Sequence, residues 1–256
     1  MRFIIGQRSD TGRVRQLDED SMLALTSAYT RESAVSQLGL FVVADGMGGH
    51  EAGEVASQIA IRALAGVLME HILQPSLGQD TLTAEQIQHW MRLATKEAND
   101  RVYLERQKRG NDMGSTITTA LICDWELYLA HVGDCRAYRW GEDGLEQLTT
   151  DHSIVASMIA AGTAAPEEIY THPQRSVIYR CIGDRPTVDV DIVSLALSPG
   201  DRLVLCCDGL WEMVRDEGIE EVMLSESDPQ SACDVLIERA NLAGGVDNIS
   251  VIVVQL

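Results

Sequence analysis

The sequence predicts an α+β fold of stacked layers, with largely antiparallel sheet and helices packed against it. Three observations carry that expectation. Two long helical patterns, over 51–72 and 84–108, follow one another with no strand between them, and consecutive strand patterns then follow over 118–123, 126–132 and 136–140. A doubly wound fold would alternate strand and helix instead. The strand candidates lean on Val, Ile and Leu, and only 5% of residues are aromatic, which suits layers packed through aliphatic side chains. At 256 residues, 45% of them apolar, with no linker, internal repeat or low-complexity tract, the chain reads as one domain over 1–256.

The elements follow from periodicity and punctuation. Apolar runs over 40–44, 118–123, 202–207 and 249–256 read as buried strands, and 126–132 and 136–140 as neighbours in a meander. Asp143-Gly144 makes a turn into 145–148. In 51–72, Val55, Ile59, Ala63 and Val67, with Ala56, Ala60 and Leu64, form one apolar stripe at helical spacing. Ile87, Trp90, Met91, Ala94, Ala98, Val102 and Tyr103 do the same in 84–108, and a third helix over 230–243 is stopped by Gly244-Gly245. The least regular stretch, 151–184, with Gly162, Pro166 and Pro173 inside it, reads either as a flap or as two short packed helices.

A formal charge of −19, from 39 acidic and 20 basic residues, argues against nucleic acid or anionic lipid as a partner. The six cysteines form no CxxC pair, and polar residues follow Ile5 at once, so neither a disulfide framework, a secretory segment nor a membrane span is expected. These features place the expected location in the cytoplasm.

The acids carry the functional signal. Two apolar runs end on Asp-Gly, at Asp45-Gly46 and Asp208-Gly209. A carboxylate there leaves a rigid core at the edge of a sheet, and the glycine after it lets the backbone turn sharply. Asp143-Gly144 is the internal control, since it sits in a polar hairpin tip and reads as a plain turn. Asp247-Asn248 directly precedes the last strand, and Glu19-Asp20 follows Arg15 near the start. Carboxylates that converge without a cation repel one another and take raised pKa values, whereas hard divalent ions remove the conflict. No His/Cys ligand spacing points to zinc, so Mg or Mn is expected. The glycines of Asp45-Gly46-Met47-Gly48-Gly49-His50, between a buried strand and a long helix, have the composition of a phosphate- or metal-binding loop.

Seven pieces in order resemble the metal-dependent protein phosphatase family, the type 2C class, in its compact bacterial form. They are residues 15–20, 43–50, 112–116, 131–136, 151–153, 207–210 and 245–248. The resemblance implies an αββα sandwich of two antiparallel sheets with helices outside, and a binuclear metal centre at one end. It implies that Asp45 bridges both ions, that the Gly46 carbonyl with Asp20 or Glu19 completes one, and that Asp208 and Asp247 hold the other. A third, weaker ion would fall to Asp134 and Asp208, and Arg15 would bind the phosphate. Arg15, Asp45 and Asp208 are therefore the expected catalytic residues. The implied reaction is hydrolysis of phosphoserine and phosphothreonine in proteins by an activated water, opposed in signalling by a Ser/Thr kinase, with the enzyme a monomer.

Three positions depart from the family pattern. Met47 stands where many eukaryotic relatives carry a His, Asp18 where an Asn is frequent, and Ser115 where a Thr is common. His50 is read as structural, and the proton for the leaving group is left to a water. Two rival readings fit the residues less well. A C-x5-R pattern at Cys233 and Arg239 lacks the small residues a phosphate-wrapping loop needs and reads as helix. A silent metal- and phosphoprotein-binding domain would be expected to have lost acids that are all present here.

Overall fold

The computed structural model describes residues 2–31, 34–48, 52–78 and 81–256. In chain order it holds β1 (Ile4–Asp10), β2 (Ser21–Arg31), β3 (Ala34–Ala44), β4 (Gly46–Met47) and α1 (Ala52–Leu68). A π-helical turn, Met69–Leu73, leads into α2 (Gln74–Leu77) and then α3 (Ala84–Arg109). Next come β5 (Gly114–Ser115), β6 (Ile117–Cys123), β7 (Glu126–Val132), β8 (Arg136–Gly141), β9 (Gly144–Gln147) and α4 (Ile154–Ala160). The chain ends with β10 (Asp191–Ala196), β11 (Arg202–Cys206), α5 (Asp208–Ser225), α6 (Pro229–Leu242) and β12 (Ile249–Gln255).

Two five-stranded sheets, in the orders β1-β12-β11-β8-β9 and β10-β7-β6-β3-β2, are antiparallel throughout. Their central strands are buried on both faces, and the period of two sorts side chains between layers. Along β3, Leu40 and Val42 meet the helix layer with Ala56, Leu64 and Met91, while Phe41 and Val43 face the other sheet. Along β11, Leu203 and Leu205 face that same middle layer, and Val204 and Cys206 pack beneath Leu210, Val222 and Leu236. Three apolar layers between four structural layers make an αββα sandwich, the arrangement the resemblance implied. Double-sided burial also explains why antiparallel strands read as unbroken apolar runs.

The helices at 52–68, 84–109 and 229–242 lie where periodicity predicts. A Thr83–Gln86 capping box opens α3 and left-handed Gly110 closes it. By length and mean hydropathy, 1.3 in its most apolar window, the run Ala52–Leu77 would pass for a membrane span, which the sequence reading did not anticipate. Its stripe of Ala56, Ala60, Leu64, Leu68 and Ile72 is packed in the helix–sheet layer, so a core role accounts for it. Segment 151–184 holds α4 and a 3₁₀ turn, Pro166–Ile169; it is closed on itself by the bridge Ser153↔Ile178 and tied to β5 by Ser115↔Ile182. Cys233 and Arg239 lie within α6, with Cys233 buried and its thiol pushed up to about 12, so no phosphate-wrapping loop exists there.

Candidate active site

Antiparallel register brings the acids to one edge of the sandwich. Ser21 pairs with Ala44, so Asp20, just before β2, sits beside Asp45, just after β3. Cys206 pairs with both Val251 and Arg136, so the end of β11 lies between the start of β12 and the start of β8. Asp208, Asp247 and Asp134 follow or precede those three strand ends.

A pocket of about 430 Å³ opens at this edge and is lined by Arg15, Glu19, Asp45, Gly46, Met47, Gly48, Thr116, Asp134, Ser176, Ile178, Asp208 and Asp247. Every expected site residue except Asp20 therefore shares its wall. Of the alternatives Asp20 and Glu19, the structure puts Glu19 in the lining and Asp20 outside it, with both Asp20 carboxylate oxygens buried close enough to Asp45 and Asp208 for their charges to interact. The acids are spread over the cavity wall: no three His, Cys, Asp or Glu side chains among the described residues are gathered at metal-holding distance. No His lines the pocket among the described residues, and His50 and Gly49 lie outside them.

The backbone around Asp45 is fixed from β5 and β6. Its N–H donates to Thr116 Oγ1 at 3.1 Å, and its carbonyl accepts from the Thr116 N–H at 2.8 Å and the Ser115 hydroxyl at 2.9 Å. A Cβ on Gly46 would stand 2.2 Å from the Gly53 carbonyl and 2.4 Å from that of Glu19, so only glycine allows α1 and the Glu19 loop to close here. Asn248, buried, organises the other wall. Its Oδ1 accepts from the Glu19 N–H at 2.9 Å, and its Nδ2 donates to the carbonyls of Thr11 at 3.1 Å and Leu17 at 2.8 Å. Asp18 takes the Ser9 hydroxyl and the Asp20 N–H, and its charge adds to the field on Asp20.

The electrostatics are unbalanced. Burial first, then the charges of Asp20, Asp208 and Asp134, push the Asp45 carboxyl well above the carboxylate range. Burial pushes Asp20 up to about 8 and Asp208 up to about 6, and Asp134 is raised well above its ordinary value. Asp208 is held lower than its neighbours by Asp45 and by the Gly209 N–H at the first turn of α5. Both oxygens of Asp20 and Oδ1 of Asp208 are buried without a donor in good hydrogen-bonding geometry, the Ser250 hydroxyl and Cys207 thiol giving Asp20 only slight relief. Orphaned hard carboxyl oxygens at the cavity wall, on Asp208, and just outside it, on Asp20, are a donor set that fits Mg- or Mn-type cations. Arg15, about half exposed, donates to Asp247 Oδ2 at 2.7 Å, so the only basic residue in the lining among the described residues is held beside the acids.

Sequence reasoning missed several residues that shape this pocket. Asn248, Ser115 and Thr116 stand inside the family motifs without a role there, and their partners lie in loops far away in the chain, at Thr11, Leu17, Glu19 and Asp45. Ser176 and Ile178 reach the wall from segment 151–184 and carry no signal in the sequence.

The protein phosphatase 2C family model matches residues 28–231, and the chain belongs to that family. It is an enzyme, a protein-serine/threonine phosphatase of the bacterial kind. Similar proteins include the serine/threonine phosphatase stp of Listeria monocytogenes, 35% identical over 97% of this chain and 94% of that protein. The serine/threonine protein phosphatase PstP of Mycobacterium tuberculosis is 36% identical over 97% of this chain, which spans 44% of that longer protein. Its crystal structure superposes with a TM-score of 0.82 at 34% identity, over 99% of this chain and 98% of that one. A PstP catalytic domain in complex with two manganese ions superposes at 0.79 with 31% identity, covering 99% of both chains.

Proposed function

We propose that this enzyme hydrolyses phosphoserine and phosphothreonine in proteins at a two-metal centre, Mg or Mn, held by Asp45, the Gly46 carbonyl, Glu19, Asp208 and Asp247. Asp20 stands behind them, and Asp134 with Asp208 is proposed to take a third, weaker ion. The single observation that carries this reading is the set of buried, mutually repelling carboxylates around one cavity, which only a multivalent cation relieves without protonating them. The PstP catalytic domain with two manganese ions supports the number of ions.

Bound there, the ions would activate a water as nucleophile and offset charge on the phosphoryl oxygens. The protein's own contribution is placement. Thr116 and Ser115 hold the Asp45 backbone, and Asn248 holds the loop carrying Glu19. Arg15 exchanges Asp247 for the phosphate, which its planar fork can take with two hydrogen bonds. An exposed ion pair is weak enough for that exchange to cost little. The pocket wall offers no His among the described residues, in keeping with a solvent water as the source of the leaving-group proton.

The test is turnover of an aryl phosphate and of phosphopeptides with and without Mn. Asp45→Asn and Asp208→Asn should each abolish metal-dependent turnover, and Cys233→Ser should leave it unchanged. Full activity in chelator, or loss of activity only in Cys233→Ser, would overturn the reading. We further propose a monomer of the cytoplasm, away from membranes, acting in signalling against a Ser/Thr kinase. Six unpaired cysteines and an acidic chain support that setting. Recovery in the membrane fraction, or a dimer by light scattering, would contradict it.

A further inference from the structure

Asp134 is carried by the short turn between β7 and β8, whose preceding residue, Gly133, has φ +115. A Cβ there would meet Thr116 Cβ at 2.5 Å, so the turn is closely packed and specific to glycine. Two side chains from elsewhere grip it on either side of Asp134. The Gly133 N–H donates to His152 Nδ1 at 3.0 Å, and the Trp211 Nε1–H donates to the Asp134 carbonyl at 2.9 Å. Both side chains are almost wholly buried, at 1% and 2% exposure.

Each arm is itself fixed. A backbone amide only donates, so His152 Nδ1 is the acceptor and the ring proton sits on Nε2, 3.1 Å from Asp191 Oδ2. Arg180 Nη1 lies 2.9 Å from Nε2 and donates to Asp191 Oδ1 at 2.7 Å, while the His131 ring stacks on His152 at 4.8 Å. The Trp211 ring lies under the Arg136 guanidinium, 3.6 Å from its centroid. Arg136 in turn donates to Asp151 at 3.0 and 2.7 Å and to Asp216 at 3.2 Å. Asp151 and His152 are consecutive, so one dipeptide at the start of segment 151–184 anchors both arms.

We propose that His152 and Trp211 are positioning residues that clamp the Gly133-Asp134 peptide and thereby aim the Asp134 carboxylate at a weakly held divalent ion. This rests on Asp134 being a ligand, as proposed above. Asp151 and His152 bond to Arg136, Asp191 and the Gly133 amide. Their reach is to the orientation of one acid, and groups that orient a metal ligand are typically worth about 10- to 100-fold in affinity.

The experiment is calorimetric titration of the metal-free chain with Mn. Wild type should show tight binding followed by a weaker event. His152→Leu removes the acceptor, and Trp211→Phe removes the N–H while keeping a ring under Arg136. Both should weaken the later event about 10- to 100-fold and leave the tight one in place. His152→Asn, whose Oδ1 can accept from the same amide, should restore most of the loss. Should His152→Leu fail to fold, Trp211→Phe decides alone. An unchanged weak event in the clamp variants, or tight and weak events lost together, would overturn the proposal. Asp134→Asn separates the two layers of argument. If the weak event survives Asp134→Asn, the ligand assignment itself is wrong; if it vanishes there but persists in the clamp variants, only the clamp is wrong.

Discussion

The Asp20 carboxylate oxygens are buried, and the carboxyl is pushed up to about 8, beside Asp208 at about 6. A carboxyl whose pKa rises on folding stabilises the fold at pH below its unfolded value, near 3.8, and that stability is lost as pH climbs through the folded value. The metal-free enzyme should therefore lose thermal stability progressively from about pH 4 to about pH 8, with Asp208 contributing up to about pH 6 and Asp20 up to about pH 8. Saturating Mn, or Asp20→Asn, should flatten that slope in a melting series; a metal-free Tm that rises over the same interval would contradict the assignment of buried charge. Arg15 supports an opposite kind of prediction. Its ion pair with Asp247 is exposed, so Arg15→Ala should leave Tm nearly unchanged while lowering kcat/KM about 10- to 100-fold, the worth of charged hydrogen bonds to phosphate. Steady-state kinetics beside a melting curve would check both halves.

Elements differed in how plainly the sequence announced them. The central strands β3, β6, β7, β8, β11 and β12 were legible because both faces are buried and the whole run is apolar. Their neighbours β1, β2 and β10 went unread because they are sheet edges, half-exposed and mixed in composition. Helix α5 also went unread: Arg215, at φ 60, breaks it, so its periodicity does not persist. Asp45 and Asp208 were visible as acids ending apolar strands, and Glu19, Asp20 and Asp247 as acids where strand meets loop. The Asn248 network was not visible, since its partners at Thr11, Leu17 and Glu19 are more than two hundred residues away in the chain. Asn248→Ala should cost about 2–3 kcal/mol by orphaning buried backbone groups, and it should lower kcat by loosening the Glu19 loop. Denaturant unfolding with parallel rate measurements checks this; unchanged stability would mean that water replaces the side chain.

At the scale of the molecule, the edge of a four-layer sandwich collects acids from both sheets, so the site depends on the register of strands in each. The net charge of −19 favours the approach of basic segments to the molecule as a whole. Phosphopeptides flanked by Lys or Arg should turn over faster than acid-flanked ones at low salt, and the difference should shrink as ionic strength rises. Equal rates at low salt would remove charge as a source of selectivity. The central claim is that strand ends far apart in sequence hold a pair of cations between them, and diffraction from Mn-soaked crystals at the manganese absorption edge tests it most directly. Two anomalous peaks are expected in the pocket, with the Asp45 carboxylate touching both and Asp208 and Asp247 on one of them. An empty pocket, or peaks out of reach of Asp45, would contradict it.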